Sequence, residues 1–431
     1  MWSGGVTHDG ATVVAKILNV AAEISLQVQP VDGGAVTIAA GRADPGNPEV
    51  FRFTVSGLPS GAAYNYRVAH GSTTLPLAGR FRTFSPGPQD ATVVFGSCAT
   101  GGSNHPVWDA MRAVNPDVFV HMGDLHYENI ILNDPARFHR AYDRCLRSPR
   151  QGAFYRHAPV AYVWDDHDFG GDESDRRSPS AGAAHQAYRT CVPHYPLQGG
   201  PSGTIQQAFD LGRVRIIVTD VRSARDPNDG AEPRSMLGLA QRDWLIAELE
   251  RASRTAALVV WANGVPWITK ADETTEHGWA RYASERAYIA SHIERLGLTA
   301  RLVMISGDAH MVAIDDGTNS QYAPGSAPGS RGFVVVHAAP FDRWRRKKGG
   351  PYSHGAQATR GQFGELRIKD SGQALDVTLT GRDRNGRQIK QFSIHMTCVN
   401  GACTITPSTG TGAAGPSARL EVRPSNQGGR W

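Results

Sequence analysis

Four short segments carry the groups that can do chemistry: Gly96-Ser97-Cys98, Gly123-Asp124-Leu125-His126-Tyr127, Trp164-Asp165-Asp166-His167-Asp168 and Gly307-Asp308-Ala309-His310. Together they offer a thiol, a phenol, imidazoles and several carboxylates, the donor set of a dinuclear metal site. A carboxylate such as Asp124, with a glycine before it to admit close approach, can bridge two cations held about 3.5–4 Å apart, as two-metal hydrolysis requires. Tyr127 as phenolate and Cys98 as thiolate both favour trivalent iron over zinc. Taken singly each signal is weak: Gly-Asp is an ordinary turn, a lone Tyr usually packs, and a lone Cys is usually a buried apolar residue. Three carboxylates and an imidazole within Asp165–Asp168 are harder to dismiss, because burying them without cations is costly. The competing reading is a solvated acidic loop, which the apolar run before it and Gly170-Gly171 after it disfavour.

Each segment ends or follows an apolar, strand-like run: Ala91–Phe95, Val118–Met122, Val160–Val163 and Leu302–Ile305. In a parallel sheet all four would emerge at the carboxyl edge, where open α/β sheets bind their ligands. Helical stretches Pro106–Val114, Pro135–Arg147, Ala181–Arg189, Leu239–Ala252 and Glu285–Leu296 alternate with further strands, which indicates a βαβ-type catalytic domain over residues 90–396. Before it, residues 1–86 read as short alternating strands divided by turns, a small β-sandwich, with Pro86-Gly87-Pro88 as the boundary. Residues 397–431 read as a C-terminal segment: Cys398 and Cys403 flank a turn that could close a disulfide, and a Ser/Thr/Gly/Pro-rich tail follows.

The chain of 431 residues, 40% hydrophobic, can bury a large core, and its formal charge of +5 is mild. Specific nucleic-acid recognition is not expected, and the basic run Arg343–Lys348 reads as a solvated loop that would add favourable field near a phosphate pocket. No apolar run is long enough to span a bilayer, and the first residues lack a signal-peptide layout. Two disulfides, Cys398–Cys403 and Cys145–Cys191, with Cys98 left for a metal, would suit an extracytoplasmic protein, periplasmic or secreted. Five reduced thiols in a cytosolic enzyme is the alternative.

These motifs, with Gly57-Leu58-Pro59, Tyr64-Asn65-Tyr66-Arg67-Val68, Asp220-x-Arg222, Met236-Leu237-Gly238 and Gly349-Gly350-Pro351-Tyr352-Ser353-His354-Gly355, resemble the alkaline phosphatase D (PhoD) family of metallophosphatases, whose site is also similar to that of purple acid phosphatases. The resemblance covers the chain to about residue 396. It implies a metallophosphatase-type α/β/β/α sandwich preceded by a small fibronectin- or immunoglobulin-like β-sandwich. It also implies Fe(III) on Cys98, Asp124, Tyr127 and His310, with a divalent ion, Ca(II) first and Zn(II) or Mn(II) as alternatives, sharing Asp124 and taking Asp166 and Asp308. Asp165 belongs to the same ligand cluster, Asp172 replaces an asparagine ligand of the family, and His167 contacts the phosphoryl group. Asn263 stands where relatives carry a ligand-type side chain. The implied activity is metal-dependent hydrolysis of phosphoric mono- or diesters, by water activated at the metal pair. Hydrolysis of phospholipid head groups in the manner of phospholipase D, or a surface-binding protein with a structural metal site, are the alternatives. Arg222 with Asp220 and Arg225 reads either as a phosphate clamp or as an internal ion pair, and Lys348 and His354 belong to a loop that could cover the pocket.

Overall fold

The computed structural model describes residues 1–408 apart from 21, 201–202, 229–233, 270–277 and 400–401, with backbone only from 398 onward. Two large sheets face each other. In one, the strands Ala91–Gly96, Val118–Met122 and Val160–Val163 run parallel at the centre of an eleven-stranded sheet. In the other, Val214–Thr219, Leu258–Asn263, Leu302–Ser306 and Val334–Ala338 run parallel within seven strands. These strands are mostly apolar and buried along nearly their whole length because both faces of each are covered, with His121, Arg215 and His337 buried among the apolar residues. Alternation along the second sheet divides its side chains between two cores. Ile216, Val260, Val303 and Val336 join the cluster between the sheets. Ile217, Trp261, Met304 and Val335 face the outer helices Gly238–Thr255 and Ala283–Arg295. Helices Val107–Val114, Pro135–Arg147, Pro149–His157 and Ala181–Cys191 belong to the large sheet's side, which gives an α/β/β/α sandwich.

Helix limits follow local chemistry. Pro135–Arg147 starts with Asp134 accepting the Ala136 N–H at 3.0 Å and with proline in the first turn, and it ends with Arg144 and Arg147, whose charges suit the carbonyl end. Cys145 and Cys191 are buried free thiols, which corrects the expected bridge. They lie on different helices, and the Cys145 thiol donates to the Leu125 carbonyl at 3.4 Å. In the last hairpin the backbone register sets Cys398 opposite Cys403, but their side chains lie outside the described residues.

Residues 2–82 form two groups of strands. Ile24–Pro30, Thr37–Ala40, Ala63–His70 and Thr73–Arg82 make a separate four-stranded sheet. Trp2–Gly4, Ala11–Lys16, Asn47–Val55 and Arg42–Asp44 instead extend the eleven-stranded sheet, which they enter through Gly4 beside Val160 in parallel. Trp2 is fully buried there, its indole N–H bonded to the Cys191 carbonyl at 2.7 Å and its ring edge-on to Tyr155 at 5.4 Å. The amino terminus is therefore mortared into the catalytic sheet. Trp2→Ala should cost about 3–5 kcal/mol, and denaturant unfolding should show the whole molecule losing stability in one transition. Loss of the N-terminal signal alone, with the catalytic sheet unmoved, would contradict this shared core.

Candidate metal centre

Carboxyl ends of strands from both sheets meet at one place. A Cβ on Gly307 would stand 2.6 Å from the Ser97 Oγ, and one on Gly123, at φ +93°, would stand 2.3 Å from the Asp165 Cβ. Only glycine lets these turns approach so closely. Ser97 also joins the two sheets by hydrogen bonds, accepting the Asp308 N–H at its Oγ and the Phe341 N–H at its carbonyl, at 3.0 and 3.1 Å. Cys98, Asp124, Asp308 and His310 all take left-handed backbone, with φ between 52° and 68°. Such conformations cost energy in residues with a Cβ and are retained where surrounding structure enforces them, typically at functional sites.

The side chains form two donor groups with one member in common. Cys98, Asp124 and His310 each offer a ligand atom within 4.8 Å of the others, and so do Asp124, Asp166 and His167. Tyr127 joins the first group, its hydroxyl 2.6 Å from Asp124 Oδ2 and 3.3 Å from His310 Nε2. The His310 Nδ1–H donates to the Trp344 carbonyl, which fixes the tautomer and leaves Nε2 with its lone pair turned to the cluster. On the other side, His167 Nδ1 meets Asn129 Oδ1 at 2.5 Å, and its ring lies 4.0 Å from the Tyr127 ring.

Without cations most of these groups are held away from their ionised forms; Asp166 is the exception, its burial outweighed by the charges of Arg222 and His167, which lower it. Burial, reinforced by Asp166, Asp165 and Asp168, raises Asp124 well above the carboxylate range. Burial likewise pushes Asp165 up to about 8 and Asp168 up to about 7, and it raises the Cys98 thiol and the Tyr127 phenol. His310 is lowered to about 4, again by burial, so it is a neutral ligand at ordinary pH. Asp124 Oδ1 and Asp165 Oδ2 are buried with no hydrogen-bond partner among the described residues. Unpaired buried carboxylate oxygens beside soft and phenolic donors are what a pair of metal ions would complete, so the residues fit the expected centre.

The remaining candidates divide. Asp308 is in the cluster but receives the buried Lys348 ammonium on Oδ1 at 2.6 Å. Arg222 is fully buried, donating to Asp165 at 2.5 Å with Asp166 at 3.6 Å and Glu173 at 3.8 Å, while Asp220 ties the turn beneath it by accepting the N–H groups of Arg222 and Ser223. The internal ion pair is thus present, and Arg225 extends it to Glu173 at 3.5 Å. Asn263 is buried at its strand end; its Nδ2 donates to the Val265 carbonyl at 2.5 Å and its Oδ1 has no partner among the described residues. Asp172 has a 75% exposed side chain and faces His167 Nε2 at 3.6 Å, outside both donor groups. His354 is placed elsewhere, beside Asp316 at 3.9 Å and the Phe392 ring. Asn129, the bridging role of Ser97 and the inward anchoring of Asp342 were not foreseen from the sequence, whereas Lys348 was. Asn129 shows only a positive φ once folded, a feature without a sequence signal.

A family profile described as PhoD-like phosphatase matches residues 93–336, more than half of the chain. The chain belongs to that family. It is accordingly a phosphoric-ester hydrolase of the metal-dependent phosphatase type. A solved structure of PhoD is 18% identical, with 95% of this chain and 92% of that chain covered and a TM-score of 0.70. A purple acid phosphatase isolated from yellow lupin (Lupinus luteus) seeds is 13% identical, with 96% and 77% covered and a TM-score of 0.62. At these identities the two structures establish a common fold. Among curated protein sequences no match reaches significance. The described residues contain no helix long and apolar enough to cross a membrane.

The electrostatics predict opposite effects of one substitution on stability and turnover. With its ionisation pushed up by burial, the Asp124 carboxyl of the metal-free protein must take up a proton on folding near neutral pH, which costs stability; Asp124→Asn removes that cost, so thermal unfolding of the chelated variant should match or exceed that of chelated wild type. Its bound metal and its turnover should be lost, the latter by more than about 10³-fold. Metal retention with most of the activity would show that Asp124 is not shared between two ions.

Proposed function

We propose that the chain hydrolyses phosphoric mono- or diesters at a dinuclear centre, Fe(III) on Cys98, Asp124, Tyr127 and His310 and a divalent ion on Asp124 and Asp166, with His167 beside it. The observation that carries this reading is the membership of Asp124 in both donor groups. Burial raises both the thiol and the phenol, so ionising the pair calls for a cation of high charge, which supports iron over zinc at the first position. Carboxylate oxygens, with Asn263 Oδ1 at the adjoining strand end, suit a hard divalent ion such as Ca(II) at the second.

Such a pair supplies Lewis-acid activation of water and of the phosphoryl oxygens. The chain's own groups prepare the rest. Asn129 and the Tyr127 ring hold His167 at the rim of the second donor group, where its imidazole can meet a phosphoryl oxygen or pass a proton. Lys348 brings an ammonium into the cluster, where it offsets Asp308 and adds a donor for an anionic substrate. Arg222 is committed to Asp165 and Asp166, so its role is to hold the carboxylates at fixed spacing. Asp168 accepts the N–H groups of Asp165 and His126, both at 3.1 Å, and so braces the loop from inside.

Hydrolysis of a phospholipid head group is the second reading within the same chemistry, favoured by apolar side chains exposed near the site. An extracytoplasmic setting is supported by Cys398 facing Cys403 across antiparallel strands, where opposed Cα atoms stand about 4.5–5.5 Å apart, within disulfide reach.

Protein purified without added metal should contain iron and absorb visible light through charge transfer from Tyr127 and Cys98. Tyr127→Phe should shift or bleach that band. A colourless, iron-free and fully active preparation would leave a zinc- or calcium-dependent enzyme instead. His167→Ala should lower kcat on a small aryl phosphodiester by about 10²–10⁴-fold, with the circular dichroism unchanged.

A further inference from the structure

Two loops bound the mouth of the metal centre, and both present groups that the hydrolytic reading does not use. One runs on from Tyr127. Its Asn129 holds His167, and just beyond it Ile131 and Leu132 are 60% and 51% exposed, Ile131 reaching over Gly171. The other is the segment Asp342–Lys348. Its ends are fastened inward: Asp342 accepts from the Thr100 N–H at 2.6 Å and the Ser103 hydroxyl at 2.6 Å, and Lys348 reaches Asp308. Between them the Arg346 N–H donates to the His310 carbonyl at 3.2 Å, and the Arg343 guanidinium stacks on the Tyr127 ring at 3.8 Å. Fastened in this way, the apex turns outward, with Trp344 80% exposed and Arg345, Arg346 and Lys347 exposed beside it.

An indole, two aliphatic side chains and three cations on the rim of one site are matched by one kind of surface. Tryptophan is at home at the boundary between head groups and acyl chains, aliphatic side chains enter the apolar layer, and Arg and Lys are attracted to anionic head groups. A soluble polyanion would match the cations but leave Ile131 and Leu132 without a function. We propose that this rim docks the enzyme on an anionic lipid surface, so that the metal centre opens toward phosphoesters carried in or at that surface. The inference rests on the hydrolytic reading for its substrate, although the docking itself can be tested without turnover.

The probe is sucrose-loaded vesicles of phosphatidylcholine with or without phosphatidylserine, sedimented with the full chain. Wild type should bind the anionic vesicles at least about tenfold more tightly than the neutral ones, and less tightly as salt rises. Leu132→Ser and Trp344→Ala should each weaken binding several-fold, and Arg345→Glu with Lys347→Glu should weaken it by roughly 10²-fold. Leu132→Ser should still hydrolyse a soluble aryl diester as wild type does, which separates failed docking from failed chemistry. Should a variant fold poorly, the unaltered protein serves. Brominated lipid should quench its tryptophan emission, and the quenching should be missing in Trp344→Phe. No sedimentation with anionic vesicles overturns the proposal. So does binding that depends on the cations yet ignores Leu132 and Trp344, which would point to a soluble polyanion.

Discussion

Buried negative charge is the constraint on which the rest of this molecule depends. Asp124, Asp165, Asp166, Asp168 and Asp308 are all almost inaccessible and gathered at one sheet edge. Against these five carboxylates stand two buried cationic side chains, Arg222 and Lys348. Solvent meets little of the shortfall, because these carboxylates are almost inaccessible, and desolvating several of them together costs more than any surface ion pair returns. Either protons or metal ions must supply the balance. A thiol and a phenol beside the same carboxylates make metal ions the chemically sufficient answer, since a cation ionises every one of these donors at once. Left-handed backbone at four of the candidate ligands has the same origin: strands that end in these turns can bring donors from two sheets to one point, and the strain is tolerated for that convergence.

Within the cluster the acids divide their work. Asp165 and Asp168 are tied to protein, the first by Arg222 and the second by two backbone N–H groups that cap the short turn after the strand. Asp124 and Asp166 keep atoms directed into the two donor groups. Arg222 is the hinge of this division, and Asp220 is what holds it, receiving also the Trp164 indole N–H at 2.9 Å and the Ile205 N–H at 3.0 Å. A run of acids in sequence therefore serves two purposes that alternate residue by residue along one turn.

Much of this was legible in the sequence because the chemistry sits at strand ends. The runs before Cys98, Asp124, Asp165 and Asp308 are predominantly apolar on both alternating faces, which is the mark of strands covered on both sides, and such strands deliver their loops to one edge. Helices with a strong cap, such as Pro135–Arg147 behind Asp134, were readable to the residue. What escaped was non-local. Pro149–His157 carries Arg150, Gln151, Gly152 and Arg156, too polar and too short to show a helical stripe, and it forms because Phe154 and Tyr155 find a core built by other segments. The parallel insertion of Trp2–Gly4 beside Val160 depends on a partner about 160 residues away in the chain, which no local pattern encodes. Asp172 illustrates the same limit at the site: its spacing from the third motif suited a ligand, yet the backbone turns its side chain to solvent beside His167.

The basic run Arg343–Lys348 shows how one short segment can serve the inside and the outside of a site together. Read as sequence, it is five cationic residues with a tryptophan among them, and solvation explains it fully. Folded, its members alternate in purpose: Arg343 stacks inward on Tyr127, Trp344 gives its carbonyl inward and its ring outward, and Lys348 ends buried against Asp308. A segment whose carbonyl fixes the tautomer of a candidate ligand cannot move without disturbing that ligand. Any contact made by the exposed ring of Trp344 would therefore act one hydrogen bond away from His310, a candidate ligand.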